Sequence, residues 1–372
     1  MILAIGCTPK PQQTTISVAP VPETTEIVAA IEAAFGAVER DNTGNIIAVD
    51  LAKGRASATD EVLRLALKLP NLKRFRLAGS SITPETFATI ETQKSLEDLF
   101  LKDLPIDGEQ IIPALLSLPK LQRLTLRCLT KVSVLPKLPG LRNLALIEMN
   151  ITESMFRSII EQQSLVALDI RDCSGLTSDR YRSLKSLNQI TDLKIGGFAV
   201  NDEVLEAITP IPNLTGLTID DAFITPEGFA KFVAYSPSAA TLETLVFNQN
   251  MSLLDESLLP LKNLPQLKRL TVCGMMVTGN FLARLSEDES TRPKLKQLSL
   301  RKTLLMPEEV EALKKYPELR ILNLSGIGLN REIIETVASL DSLEELDIRD
   351  CPFDDGIEPL LQKMKTLKKL IR

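Results

Sequence analysis

The 372-residue chain has no histidine and no tryptophan, and only three tyrosines. Without imidazole there is no Ser-His or Cys-His pair, no imidazole general base and no His-containing zinc site. Catalysis would have to rest on carboxylates, Lys, Tyr or a lone thiol. We therefore read the chain as a non-enzyme without cofactor or metal. Its five cysteines, Cys7, Cys128, Cys173, Cys273 and Cys351, form no C-x-x-C pair, so metal-knuckle and thioredoxin spacings are absent. There is no excess of positive charge: Lys+Arg of 43 against Asp+Glu of 48 gives −5, no electrostatic footprint for nucleic acid. No apolar run reaches the roughly 18–20 residues that would span a bilayer. What the chain does have is apolar residues, 44% of the total, enough for a large core.

Those residues are periodic. The stretch "LDIRDC" occurs at 168–173 and again at 346–351, and each copy sits in a longer frame, L-x-x-L-x-L. The frame recurs as "LKRFRL" from 72, "LEDLFL" from 96, "LQRLTL" from 121 and "LRNLAL" from 141, and continues to "LKKLIR" from 367. With a weaker first copy, "IIAVDL" from 46, there are fourteen, spaced 20 to 28 residues apart and mostly 24 or 25. Two apolar residues two apart at the end of each frame fit a strand with one buried face. A further apolar residue follows, such as Ile82, Ile151, Ile224 or Phe353, and then a helix start. "TPET" (83–86), "TPEG" (225–228) and "MPEE" (306–309) place proline and acid in a first helical turn. "LPNL" (69–72) and "LPQL" (264–267) stop the helix before the next strand.

This pattern resembles the leucine-rich-repeat proteins over residues 46–372, and the Cys after the strand is most similar to their ribonuclease-inhibitor-like and cysteine-containing subclasses. The resemblance implies an α/β solenoid, a horseshoe of about fourteen repeats with a parallel sheet on the concave face and helices on the convex face. The ninth position departs from the family's Asn or Cys, reading for example Leu129, Met149 and Phe198. The 20-residue step through 128–140 is too short for a full helix. The 28-residue steps carry insertions at 236–240 and 286–293, expected to project from the edge where the strands start.

Ahead of the repeats, residues 24–39 have apolar positions at helical spacing (Ile27, Ile31, Phe35, Val38), and 24–45 reads as a capping helix and turn. Residues 1–23 read as a tether or a shortened lipoprotein leader: "MILAIGC" resembles a bacterial lipoprotein cleavage site, and "TPKPQQTTISVAPVPETT" suits a flexible spacer. Two readings of this end stay open. Either Cys7 carries a lipid anchor that holds the protein on the envelope side of a membrane, or the protein is cytoplasmic with a frayed terminus. At the last strand, Lys365, Lys368 and Lys369 are read as gatekeepers against edge pairing, so a monomer is expected in preference to an edge-paired dimer.

In the repeat register Cys173 and Cys351 point into the core as small hydrophobes, while Asp169 and Arg171, like Asp347 and Arg349, face outward two apart. The cysteines lie two or more units apart. Strands ~4.8 Å apart then keep them beyond disulfide reach. Function should lie on the concave sheet. Its early units gather Arg74, Arg76, Phe100, Lys102, Arg123 and Arg127, a basic patch with an aromatic that suits an acidic peptide or protein surface. The resulting expectation is a non-catalytic protein–protein interaction scaffold. The alternative is a regulator resembling the GTPase-activating leucine-rich-repeat proteins, which act through loops at one edge of the horseshoe.

Overall fold

In each frame the apolar pair two residues apart turns inward and its neighbours turn out, so every copy becomes a strand. Phe75 and Leu77, Leu124 and Leu126, and Leu322 and Leu324 are all buried. A computed structural model describes residues 22–372 apart from 55–57, 80, 353, 354, 363 and 365. Among these residues one sheet of fifteen strands runs in sequence order. Its first half is β1 (Ala37–Arg40), β2 (Ile46–Leu51), β3 (Arg74–Ala78), β4 (Asp98–Lys102), β5 (Arg123–Arg127), β6 (Asn143–Ile147), β7 (Ala167–Arg171) and β8 (Asp192–Gly196). The second half is β9 (Gly216–Asp220), β10 (Thr244–Asn248), β11 (Arg269–Cys273), β12 (Gln297–Ser299), β13 (Ile321–Asn323), β14 (Glu345–Asp347) and β15 (Lys369–Ile371). From β2 to β15 all pairings are parallel. One strand, one loop and one return segment per rung form a leucine-rich-repeat solenoid, with its core between the sheet and the return segments.

Two devices hold successive rungs in step. One residue at the same repeat position, directly after each strand from β3 to β11 and three residues past the shorter β12 to β14, adopts a left-handed conformation: it is Gly, as at Gly79 and Gly326, or Asp, as at Asp103, Asp172, Asp221 and Asp350, in eight of twelve cases. A short polar side chain or none tolerates that backbone best. The second device joins helix starts. Asp60 accepts hydrogen bonds from the Thr83 backbone N–H (2.8 Å) and hydroxyl (2.6 Å), and Asp202 does the same for Thr225 (2.9 and 2.6 Å). Asp255 accepts from the N–H groups of Thr278, Gly279 and Phe281. The first-turn acid of one helix thus caps the start of the next, satisfying donors that a helix N-terminus leaves open.

The short rung between β5 and β6 has no helix, as its length requires. Three expectations are corrected. The helix expected over 24–39 runs only over α1 (Pro22–Ala33), and Ala37–Arg40 instead pairs antiparallel with β2. Phe35 takes a left-handed conformation and is exposed, and a Cβ on Gly36 would lie 2.8 Å from Leu51 Cδ2. The Phe35–Gly36 pair therefore ends the helix, and the following residues occupy the free edge of β2, which main-chain hydrogen bonding favours over leaving it open. The insertion at 236–240 does not project. Ser238 is fully buried, its hydroxyl donating to Ile211 O (2.6 Å) and accepting from Leu214 N (3.0 Å). The insertion at 286–293 does project, with 287–291 exposed. Finally, Phe198 at the ninth position faces solvent rather than the core. Residues 1–21, with Cys7, and Phe353 and Lys365 lie outside the described residues. Lys368 and Lys369 pair with Glu344 (2.9 Å) and Glu345 (2.8 Å) of the preceding rung.

Candidate functional site

The sheet register sorts outward side chains into three columns. The middle one runs Asp50, Arg76, Phe100, Thr125, Ala145, Asp169, Lys194, Thr218, Val246, Thr271, Ser299, Asn323 and Asp347, one per strand. All six residues singled out in the sequence lie on β3, β4 and β5 on this face. Arg74 and Arg123 stand in the first column, Arg76 and Phe100 in the middle one, and Lys102 and Arg127 in the third. The guanidinium carbon of Arg76 lies 4.0 Å from the centroid of the Phe100 ring, a stacked cation–π pair.

The same geometry brings acids the sequence reasoning left out. Arg74 meets Glu39 (2.5 Å), Arg76 meets Asp50 (3.2 Å) and Lys102 meets Asp103 (3.4 Å). Arg123 meets Asp98 (2.9 Å) and Arg127 meets Glu148 (2.5 Å). Each cation of the patch is paired within the chain, so its surface is ionic but locally compensated. The signal was available: Asp50 precedes Arg76 and Asp98 precedes Arg123 by one repeat in the same or adjoining column.

The repeated "LDIRDC" motif turns its Asp and Arg toward each other. Arg349 Nη2 donates to Asp347 Oδ2 (2.6 Å) and its Nε to Oδ1 (3.0 Å), and Asn323 adds a donor from the previous rung. Arg349 holds the buried Asp347 carboxyl below the usual carboxylate range. In the first copy Arg171 grips Asp169 in the same way (2.7 and 2.8 Å) and also reaches Asp220, two strands away, which Asn248 contacts in turn. The strand between them carries Gly196, opposite both Arg171 and Asp220. A Cβ there would lie 2.6 Å from the Asp220 carbonyl oxygen and 2.8 Å from the Asp220 Cβ, so glycine is what lets β8 and β9 approach this closely beneath the bridge. This bridge was not legible, because it joins residues two strands apart that the repeat does not place side by side.

The motif's cysteines are structural. Cys173 Sγ donates to Leu146 O (3.1 Å) and Cys351 Sγ to Leu324 O (3.1 Å), each one rung back. Asn250 serves the corresponding place, its Nδ2 donating to Ile219 O (2.8 Å). Burial pushes the Cys173 thiol up to about 11, leaving no thiolate at neutral pH. Cys128, raised to about 11 by burial and the adjacent Glu148, donates to that carboxylate at 2.9 Å. Cys273 is the outward one, in the third column of the concave face. Among the described residues the four are free thiols and no cluster of His, Cys, Asp or Glu could hold a metal ion. No helix among them is long and apolar enough to cross a membrane.

No family model matches the chain. Among solved structures it is similar to an internalin from Listeria monocytogenes, at 18% sequence identity over 94% of each chain with a TM-score of 0.46.

Proposed function

We propose that this protein is a non-catalytic interaction scaffold that docks a protein partner on its concave sheet, with the Arg76–Phe100 stack as the anchor. The observation that carries the reading is that stack, an exposed arginine over a half-buried ring on a parallel sheet. Arginine and aromatic side chains supply most interface binding energy when a partner covers them. An acidic partner fits. Exposed ion pairs are worth only ~0–1 kcal/mol each, so carboxylates from a partner can replace Asp50 or Glu148 at small cost. The paired state keeps the free face neutral and selects against non-specific anions. The matching bonds of Cys173 and Cys351, each to a carbonyl one rung back, support placement in the cysteine-containing subclass.

The test is a photo-crosslinking amino acid placed at Phe100 and, as control, at the exposed convex residue Lys314, in the native host. Capture of one discrete protein from Phe100 alone, abolished by Arg76→Glu with Arg127→Glu while the far-UV spectrum stays unchanged, is the expected result. Equal capture from both positions, or capture insensitive to the two reversals, would move binding elsewhere. Acceleration of a GTPase by the purified protein would favour the regulator reading instead. We also propose that Cys7 carries a lipid. Membrane fractionation of wild type and Cys7→Ser, expressed from the intact upstream reading frame, decides it: a soluble wild type would end that part of the proposal.

A further inference from the structure

Among the described residues eleven large hydrophobic side chains are exposed, and seven of them lie on one edge of the solenoid, in the loops that leave β8 to β12. Phe223, Met251, Met276 and Leu304 occupy one loop position after successive strands, two residues past the left-handed residue, and Phe198, one residue earlier in its own loop, sets its ring 5.9 Å from that of Phe223. The other two, Leu254 and Met306, sit at helix N-caps. From Thr59 to Asn330 the helix starts otherwise carry Thr, Asp or Asn with a capping hydrogen bond, or in one case Gly279 capped by Asp255. Leu254 and Met306 offer no side-chain acceptor. Such a replacement costs about 1 kcal/mol of helix stability. The edge thus gives up local stability to stay apolar in the same rungs, which points to something that covers it.

The edge is also complementary to itself. The end of β9 and its loop read "DDAF" (220–223) and the equivalent stretch after β12 reads "RKTL" (301–304): acid, acid, small, apolar against base, base, small, apolar, with Asp220 already held by Arg171 and Asp221 the acid left for the edge. They are three rungs apart and symmetric about the β10 and β11 loops, which contribute Met251 and Met276. Asp221 and Lys302 hold equivalent left-handed positions, and neither they nor Arg301 has an ion-pair partner among the described residues. Two copies related by a two-fold axis lying radially between β10 and β11 would set Asp221 against Lys302 and Phe223 against Leu304, with Met251 against Met276. Phe198 would then face Gly326 and Gly328, where a side chain is missing and, at Gly328, space is open. The match ends one rung further out, where Asp172 would meet Asp350.

We infer that the strand-exit edge of β8 to β13 is a self-association surface whose occupant is a second, antiparallel copy of this chain. A two-fold interface must be self-complementary, which this edge is in charge, shape and apolarity. The seven side chains expose on the order of 700 Å² per copy, close to the ~800 Å² per partner of a standard interface. Because the axis is radial, both concave sheets open to the same side and remain free for a partner. The inference is therefore independent of the docking proposal.

Sedimentation of the full chain from about 1 to 100 µM tests it. A dimer is expected, monomeric in Met251→Glu. Asp221→Lys and Lys302→Asp should each weaken it by roughly tenfold or more, and their combination should restore it to within about threefold, since both contacts per dimer are re-formed with reversed sign. All three sites are on the surface and each charge swap installs the residue type already tolerated at the equivalent loop, so circular dichroism should not change. A monomer at every concentration overturns the inference. So does a dimer indifferent to Met251→Glu, or a double variant no better than the single ones.

Discussion

Gly228 and Asp202 offer a test in which the sign of a mutation depends on its neighbour. Gly228 lies in the first turn of the helix Pro226–Tyr235. A Cβ on it would meet only the Asp202 carboxyl group among its three nearest atoms, at 2.0, 2.2 and 2.7 Å. That carboxylate holds the start of the helix through the Thr225 N–H and hydroxyl. Gly228→Ala must expel it and sever both bonds. Removing a helix-capping acceptor costs ~1–2 kcal/mol. Alanine in a helix recovers up to ~1 kcal/mol over glycine, less in a first turn. Gly228→Ala should thus destabilise the wild type by ~0.5–1 kcal/mol, and Asp202→Ala by ~1–2 kcal/mol. In the Asp202→Ala background the methyl meets no carboxylate, and Gly228→Ala should stabilise by ~0.5 kcal/mol. Urea unfolding followed by far-UV dichroism suits a chain without tryptophan. Because repeat arrays unfold by neighbouring units, amide exchange over 226–235 localises the effect. An equal cost for Gly228→Ala in both backgrounds would refute the reasoning.

Leu168→Asp and Leu346→Asp bury a carboxylate among apolar side chains, since both leucines are core residues. Each should cost several kcal/mol and raise amide exchange in its own and adjoining rungs, while the same change at the exposed Leu116 should be near neutral. Asp347 has a folded-state acidity strengthened by Arg349, so its contribution is complete above the unfolded carboxylate range near pH ~4 and is lost as pH falls below it. Asp347→Asn should therefore lower stability at pH 7 and shallow the acid limb of the stability profile, and an unchanged limb would discount the pair. Among the thiols, Cys173 should resist an alkylating reagent at pH 8 because burial both hides it and keeps it protonated, whereas the outward Cys273 should be labelled first. Mass spectrometry of partly labelled native protein reads the order directly.

The period of the leucines by itself settles a great deal. A two-residue alternation bounded by proline and capping residues can satisfy its backbone and bury its apolar face only as a stacked strand and return segment. The order of the strands, the outward middle column and the inward cysteines all follow from that one repeat. The sequence could not set what depends on distances between rungs. Arg171 reaches Asp220 across a whole intervening strand, and Asp202 caps a helix that begins one unit later. The ion pairs that neutralise Arg76 and Arg127, and the packing that ends α1 at Phe35 and Gly36, likewise join residues from separate repeats. Repeat symmetry fixes which way each strand side chain points, since that is a property of one unit, though not every loop position, as Phe198 shows. Which side chains then meet is decided across units, where curvature, left-handed loops and missing side chains bring together groups that no single period contains.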